Sequence, residues 1–321
     1  MKLPDGIGGF FLRLAAAAGL TLLLAAALGA VYSSRIIPKK NLYKSETQFR
    51  SGGTGAETLI CGDSHAAYDL NPEFLPGAFN YALPSETLEQ TYFKLRTALP
   101  LMPGIKRVLL PLDLHTFSNY RKGQYTDIWY WNRFLSPREL SDLTGKSAAA
   151  LWIYRTFPFI GNGEEFKTLV SGGSGTLVIR GWQRHTEDFS VDSEKPISGM
   201  KRATLHFPNA PKAIDSSMLD YLPRIIALAK AHRAETFLIK FPVTPQYKQA
   251  VDERHIDRAA YYREVEALAK VSGAAAILDY QDSISREPLF DDPDHLNASG
   301  AAVLSAKIAN RLGISVPPPV E

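Results

Sequence analysis

Two short motifs, far apart in the chain, contain residue types that together can perform acyl transfer. The first is Gly-Asp-Ser-His at residues 62–65, directly after a short apolar run. The second contains Asp292 and His295, with the aspartate three residues before the histidine. A serine nucleophile, an imidazole that takes its proton and a carboxylate that orients the imidazole are the three parts of a serine esterase. The motifs therefore predict Ser64, His295 and Asp292 in these roles.

Each motif taken alone also has a simpler explanation. The first could cap a turn, and the second could be an acidic surface turn. The aspartates within residues 291–294, together with His295, could instead bind a hard cation, because such ions prefer carboxylate oxygens. The serine interpretation uses the same residues and also accounts for Ser64. We therefore favour it over a metal site, and the sequence predicts no cofactor.

The segments around the motifs alternate in the way typical of a parallel α/β fold. Apolar runs that resemble buried strands occupy residues 58–61, 77–81, 107–112, 236–241 and 274–279. Segments with helical spacing of apolar residues occupy 87–99, 218–232, 258–271 and 298–312. This order predicts a three-layer α/β/α sandwich with a parallel sheet of about five strands. Ser64 and His295 then meet at the carboxyl edge of the sheet, where ligands bind in such folds.

Residues 117–212 interrupt this alternation. They are rich in aromatic residues, glycine and serine and show no sustained period. A structureless loop of that length is implausible in a compact domain, so we predict an insertion with short helices at residues 137–143 and 147–156 and a flexible segment at 171–175. Such an insertion is a source of a lid or specificity surface. Its aromatic side chains could stack on sugar rings or simply form its own core.

The N-terminal segment, residues 1–33, predicts attachment to a membrane. Residues 14–32 carry no charge and are long enough to cross a bilayer as a helix. This apolar run is longer than that of an ordinary signal peptide, so an uncleaved signal anchor is favoured over cleavage near Ala30. Residues 34–56 are polar and basic and predict a linker. Residues 57–315 then form the α/β domain, and residues 316–321 a tail.

Composition excludes several classes of function. The formal net charge is only +3 and no long run of lysine and arginine occurs, so nucleic acid is not a predicted partner. The single cysteine, Cys61, excludes a disulfide framework and a site with several thiolate ligands. A hydrophobic content of 45% with 21% charged residues is that of an ordinary globular chain.

The two motifs and their positions resemble the SGNH/GDSL hydrolase superfamily. In that family a Gly-Asp-Ser after the first strand supplies the nucleophile and an Asp-x-x-His before the last helix supplies the other two groups, which match Ser64, Asp292 and His295. The resemblance covers residues 57–115 and 217–312. The layout of anchor, domain and insertion is similar to the exported proteins that acetylate or deacetylate cell-surface polysaccharides, including the alginate O-acetylation proteins. That branch implies a periplasmic domain, whereas the slightly larger number of positive charges after the apolar run would favour a cytoplasmic one.

The sequence departs from the family pattern where oxyanion donors are expected. Ser85 replaces the last glycine of the second block, and its backbone N–H could still donate. Asp113 stands where the third block has an asparagine, and an ionised carboxylate cannot donate and would oppose an oxyanion. Asp113 must point elsewhere or be protonated, or a group such as His115 must replace it. His65 is a further candidate pocket residue, although a residue in that place is more often part of a turn.

The sequence therefore predicts a membrane-anchored, serine-dependent acyl-ester hydrolase or O-acyltransferase, two activities that share one acyl-enzyme. The resemblance implies an acylated cell-envelope polysaccharide as substrate and a membrane-bound acyl-donor protein as partner. The alternative is a non-catalytic SGNH-like binding or scaffold protein of a polysaccharide assembly complex, which Asp113 supports. A third alternative, a lysophospholipase or thioesterase, would need a long apolar groove that the polar insertion does not obviously supply.

Overall fold

The computed structural model describes residues 7–171 and 176–315, and the chain divides into two compact units. The first unit contains the residues up to Tyr43 together with residues 123–175. The second unit contains residues 44–122 and those from Thr176 onwards. The predicted tail and nearly all of the predicted flexible segment at 171–175 lie outside the described residues.

A parallel sheet forms the centre of the second unit. The strands of the described residues are β1 (Thr58–Ile60), β2 (Ala78–Asn80), β3 (Arg107–Pro111), β4 (Val178–Ile179), β5 (Trp182–Gln183), β6 (Glu235–Lys240) and β7 (Ala276–Asp279). Five of them pair in the order β2-β1-β3-β6-β7, and every pairing in this sheet is parallel. Strands β4 and β5 form a separate antiparallel pair. The predicted five-stranded parallel sheet is therefore confirmed, and its carboxyl ends share one edge.

The helices lie before, between and after these strands. In chain order, the α-helices of the described residues are α1 (Ile7–Val31), α2 (Asn41–Ser51), α3 (Ser64–Asp69), α4 (Leu88–Ala98), α5 (Ile128–Trp131), α6 (Pro137–Thr144), α7 (Ala148–Thr156), α8 (Lys167–Ser171), α9 (Lys195–His206), α10 (Ser216–Leu219), α11 (Tyr221–Ala231), α12 (Pro245–Glu253), α13 (Arg258–Ser272) and α14 (Ala298–Arg311). Helix α4 begins at a capping box, in which Thr87 and Gln90 exchange side-chain and backbone hydrogen bonds.

Helices cover both faces of the sheet. Successive strand residues point to opposite faces, and Ile60, Leu109 and Ile239 share a buried core with side chains of α3 and α14. On the other face, α11 packs against α4, α13 and β6. A parallel sheet between two helical layers is the three-layer α/β/α sandwich that the sequence predicts.

The insertion contains the two short helices that the sequence predicts. Helix α6 is preceded by the N-cap Ser136, whose side chain forms a capping box with Glu139, and is followed by the left-handed C-cap Gly145. Helix α7 is preceded by the N-cap Ser147, whose hydroxyl accepts from Ala150 N–H. Residues 123–175 of the insertion belong to the first unit, while residues 176–212, which include α9, belong to the second.

The first unit also contains the apolar N-terminal helix. The helical stretch Gly8–Lys39 has a mean hydropathy of 2.2 in its most apolar window and is the one candidate membrane span among the described residues. Helix α1 is followed by a π-helical turn at Tyr32–Ile36 and a 3-10 turn at Ile37–Lys39.

Residues 34–56, which the sequence predicts as a linker, are mostly helical. Helix α2 occupies Asn41–Ser51. Its Phe49 is buried and stacks on Tyr81 with ring centroids 4.3 Å apart. Ile36, Ile37 and Phe49 are the buried hydrophobic residues of this segment, whereas Leu42 is only half-buried.

Candidate active site

The serine of the first motif lies on a turn that only glycine can make. Gly62 follows β1 with a φ of +118°, and a Cβ there would stand 2.4 Å from Cδ of Pro111. The chain then enters α3, where Asp63 is the N-cap and accepts from His65 N–H at 3.1 Å. Ser64, the first residue of the helix, is partly buried at the carboxyl edge of the sheet.

The second motif reaches this serine. Nε2 of His295 lies 2.8 Å from Oγ of Ser64, and Nδ1 of His295 lies 2.9 Å from Oδ2 of Asp292. A carboxylate can only accept here, so Nδ1 carries the proton and Nε2 is free to accept from the serine hydroxyl. The predicted meeting of the two motifs is therefore observed. His295 is only 3% exposed, so the imidazole in the middle of the path is shielded from water, whereas Ser64 and Asp292 are partly exposed.

The loop of the second motif is held by the same aspartate. Oδ1 of Asp292 accepts from the backbone N–H groups of Asp294 and His295, both at 3.0 Å. The loop is closed by a bridge between Phe290 and Leu296. Asp292 thus fixes both the backbone and the imidazole of His295, which explains why a spacing of three residues suits this role.

An arginine that the sequence did not single out joins the site. Arg202 in α9 forms an ion pair with Oδ2 of Asp292, and its Nε lies 2.7 Å from Oδ1 of Asp294. Burial opposes ionisation of Asp292, but His295 and Arg202 together lower the pKa of this carboxyl below its usual range. Asp292 therefore stays ionised. Arg202 lies in the insertion, about ninety residues from its partners by number, and no local pattern marks it.

His65 is a buried charged group and not a turn residue. Its Nδ1 lies 2.8 Å from Oδ2 of Asp113 and its Nε2 lies 3.2 Å from Oδ2 of Asp294. With a carboxylate at each nitrogen, both nitrogens donate, and the ring is an imidazolium. Burial works against this charge, but Asp113 and Asp294 raise the pKa of His65 well above its ordinary value. The ring lies 5.1 Å from that of His295, behind the base.

Asp113 forms its hydrogen bonds within the protein and none with Ser64. Its Oδ2 accepts from His65, and its Oδ1 accepts from Phe241 N–H at 2.8 Å. Both carboxylate oxygens of Asp113 therefore accept hydrogen bonds from groups of the protein itself, in the region just after β3 and β6. Of the three alternatives that the sequence left for this residue, the first is the one observed.

His115 contacts the N-cap of α3 and not the serine. Its Nε2 donates to Oδ2 of Asp63 at 2.9 Å, and its ring stacks on that of His206 with centroids 4.2 Å apart. Burial lowers the pKa of His206 well below its usual value, and the neighbouring His115, Arg202 and His65 lower it further. His206 is therefore neutral. His115 and His65 together support Asp63, so the three groups brace the turn that presents Ser64.

Ser85 lies in a turn tied to the nucleophile turn. Leu83 N–H donates to the carbonyl oxygen of Gly62 at 3.0 Å, and Ser85 follows two residues later with a left-handed φ of 64°. The backbone N–H of Ser64 has no acceptor within the described part of the chain, as expected for the first turn of a helix. Whether Ser85 donates to an oxyanion stays a prediction.

Tyr68 packs against the base, and His185 packs against Tyr68. The ring of Tyr68 lies 5.1 Å from that of His295, and the ring of His185 lies 3.9 Å from that of Tyr68. His185 is held by Asp291, whose Oδ2 lies 2.8 Å from Nδ1. His185 belongs to the insertion, and only its position in space shows its connection with the site.

The acidic loop does not gather its carboxylates around one point. Asp291 contacts His185, Asp292 contacts His295, and Asp294 contacts His65 and Arg202. Ligand atoms of His65, Asp294 and His295 do lie within 4.8 Å of one another. However, His65 donates to Asp294 through the nitrogen that a metal would need, so this arrangement is better explained as a hydrogen-bonded charge network.

Comparison with known proteins adds distant similarities in fold. No protein-family model matches the chain, and no curated protein matches its sequence. A GDSL-like lipase from Bacteroides thetaiotaomicron is 9% identical, with a TM-score of 0.41, over 85% of this chain and 98% of its own. A catalytic mutant of the acetylxylan esterase Axe2 from Geobacillus stearothermophilus is 9% identical, with a TM-score of 0.40, over 83% of this chain and 99% of its own. Similarity of this degree says nothing about activity, which has to be inferred from the site's own geometry.

Proposed function

We propose that the chain is a serine-dependent acyl-ester enzyme of the SGNH type. One observation supports this more than any other: an unbroken path of two hydrogen bonds from Oγ of Ser64 through His295 to Asp292, at 2.8 Å and 2.9 Å. These are the distances and the order of groups that a nucleophile, its base and an orienting acid require.

The chemistry follows from the positions of the protons. Oγ of Ser64 attacks the acyl carbonyl carbon while its proton passes to Nε2 of His295, and the carbonyl oxygen takes up the negative charge. The tetrahedral intermediate collapses, the C–O bond to the leaving alcohol breaks, and that alcohol takes the proton from His295. Asp292 stabilises the transient imidazolium without taking its proton. A water molecule or a sugar hydroxyl then gives its proton to Nε2 of His295 and attacks the acyl carbon. The ester bond to Oγ of Ser64 breaks, and Oγ takes the proton back from His295.

The oxyanion requires donors aimed at the same point. The backbone N–H of Ser64 is available at the start of α3. Ser85 N–H is the second donor in our proposal, because its turn is bonded to Gly62. Asp113 supplies no donor, so the site works with one donor fewer than the family pattern, a difference that costs about 10²–10³ in rate.

The substrate class and partners in this proposal come from the resemblance and from helix α1. The apolar stretch retains the domain at a membrane, with the domain on the periplasmic side. An acylated cell-envelope polysaccharide is the substrate, and a membrane-bound protein supplies acyl groups if the acceptor is a sugar hydroxyl. The mechanism to the acyl-enzyme is the same for hydrolysis and transfer, so the site is compatible with both.

A non-catalytic polysaccharide-binding role is the second candidate. The specific observation in its favour is that both carboxylate oxygens of Asp113 are used internally, which leaves the third donor position unfilled. Such a protein would keep the fold and the hydrogen bonds of the triad while turning over no ester.

Covalent labelling tests the proposal. The full-length protein in detergent is treated with a fluorophosphonate, and an acetylated sugar ester serves as substrate. We expect labelling at Ser64 and a loss of turnover of about 10⁶-fold in Ser64→Ala and in His295→Ala. Ser272→Ala, which changes a hydroxyl at the end of α13, is the matched control and should keep both properties. Folded wild-type protein that neither reacts nor turns over ester would favour the binding role.

A further inference from the structure

Helix α7 exposes an apolar face that nothing in its own unit covers. Trp152 is 63% exposed and Ile153 is 39% exposed, while Leu151 is only 4% exposed. At 100° per residue, Ala148, Ala149, Trp152 and Ile153 form one continuous stripe, and Leu151 points into the unit on the far side. An exposed tryptophan within such a stripe marks an interaction surface.

The chain just after α7 is fixed against the end of the apolar N-terminal helix. Gly29 in the last turn of α1 is buried, and a Cβ there would lie 3.9 Å from Cε1 of Phe159. Phe159 also packs on the buried cluster of Tyr32, Ile36 and Ile37. Gly29 precedes Tyr32 by three residues, or about 4.5 Å along a helix. Phe159 therefore lies at the level where the apolar stretch ends.

Polar contacts in the same unit hold this arrangement. Lys40 forms ion pairs with Asp127 and with Glu165, the latter at 2.8 Å. Both contacts connect the turn that follows α1 to the insertion. Exposed basic side chains, those of Arg35, Lys39 and Arg155, flank the apolar surfaces. If α1 spans the bilayer, these cations lie at the level of the lipid headgroups, whose phosphate oxygens can accept from them.

We propose that α7 lies in the membrane interface, with Trp152 and Ile153 inserted among the lipids beside the end of α1. Tryptophan is the residue that prefers this boundary, and arginine next to it contacts headgroups. Helix α1 also exposes apolar side chains near its end, those of Leu28 and Val31. A protein partner fits less well, because two large side chains cover far less than the roughly 800 Å² per partner of a stable interface. The inference rests on the part of the proposed function in which α1 remains in the protein as a membrane anchor. It does not require that the site be catalytically active.

Fluorescence quenching in vesicles tests this placement. The full-length protein is reconstituted into phosphatidylcholine and phosphatidylglycerol vesicles in which the phosphatidylcholine carries bromine either close to the headgroup or deep in the acyl chain. We expect stronger quenching by the shallow bromine. In Trp152→Phe we expect that quenching to fall to less than half of the wild-type value. Trp131→Phe is the matched control, because Trp131 belongs to the same unit but is only 6% exposed, and it should leave the quenching unchanged.

The remaining outcomes separate this inference from the proposals on which it depends. Flotation of the wild-type protein with the vesicles is expected, and its failure would overturn both the anchor and the interfacial helix. Flotation together with equal quenching of wild type and Trp152→Phe would overturn the interfacial helix alone and favour a protein partner absent from the vesicles. Efficient disulfide cross-linking between copies of Ile153→Cys would overturn it in favour of self-association. None of these results tests the proposed esterase activity, which the labelling experiment tests separately.

Discussion

Replacing His65 by glutamine removes a buried cation and leaves two buried carboxylates. Asp113 and Asp294 then face each other across a neutral side chain, at sites where they accepted from the ring at 2.8 Å and 3.2 Å. Removing one partner of a buried ion pair costs about 3–5 kcal/mol. The variant can reduce that cost only if one of the carboxylates takes up a proton.

The pH dependence of this cost follows from proton linkage. In the folded variant, the freed carboxylate holds a proton, and above about pH 3.9 it releases that proton when the protein unfolds. The variant's free energy of unfolding therefore falls by about 1.4 kcal/mol for each pH unit above that value. In the wild type, the raised pKa of His65 means that its contribution is fully present below the unfolded histidine value of about 6.5 and is lost only as pH rises through the folded value. The difference in free energy of unfolding between wild type and variant therefore grows by about 3.5 kcal/mol between pH 3.9 and 6.5. Above pH 6.5 it stays constant, because both proteins then lose stability at the same rate.

Urea unfolding of both full-length proteins, followed by tryptophan fluorescence from pH 4 to pH 9, measures this difference. His232→Gln, which changes a partly exposed histidine at the end of α11, is the control and should follow the wild type. A penalty for His65→Gln that is the same at every pH, or a variant as stable as the wild type near pH 6.5, would show that the ring is not a buried cation.

Two further predictions concern the triad and its turn. Asp292→Asn should lower kcat by about 10⁴ with the fold retained, because the amide no longer fixes the tautomer of His295; steady-state kinetics beside the exposed control Asp282→Asn checks this, and comparable rates would refute it. Gly62→Ala should destabilise the protein by about 2–6 kcal/mol, from a left-handed backbone and from overlap with the ring of Pro111. The urea midpoint measures that loss, and Gly104→Ala, which has no atom within 4 Å of its added Cβ, should be nearly neutral.

The sequence predicts the sheet and the triad for a clear physical reason. Buried parallel strands are apolar throughout, and the residues that follow them must lie at one edge, so Ser64 and His295 could be placed together from local patterns alone. The short helices α6 and α7 carry serine caps that are visible in the sequence. The three-residue spacing between Asp292 and His295 predicts the contact between their side chains.

The rest of the site depends on contacts between distant segments. Arg202 and His185 come from the insertion, where no periodicity fixes which side chain reaches the triad. His65 looks like a turn residue until Asp113 and Asp294 are seen at its two nitrogens. Helix α2, within the predicted linker, is not visible in the sequence because average polarity hides a few buried apolar residues, such as Phe49.

The position of Arg202 has a practical consequence for protein engineering. A minimal enzyme made by deleting residues 117–212 would keep the strands, the serine and the Asp-x-x-His loop, and would look complete in an alignment. It would nevertheless lose the guanidinium that neutralises Asp292 and Asp294. Any shortened version intended for crystallisation or for swapping substrate-binding segments should therefore retain α9, even though it lies outside the sheet.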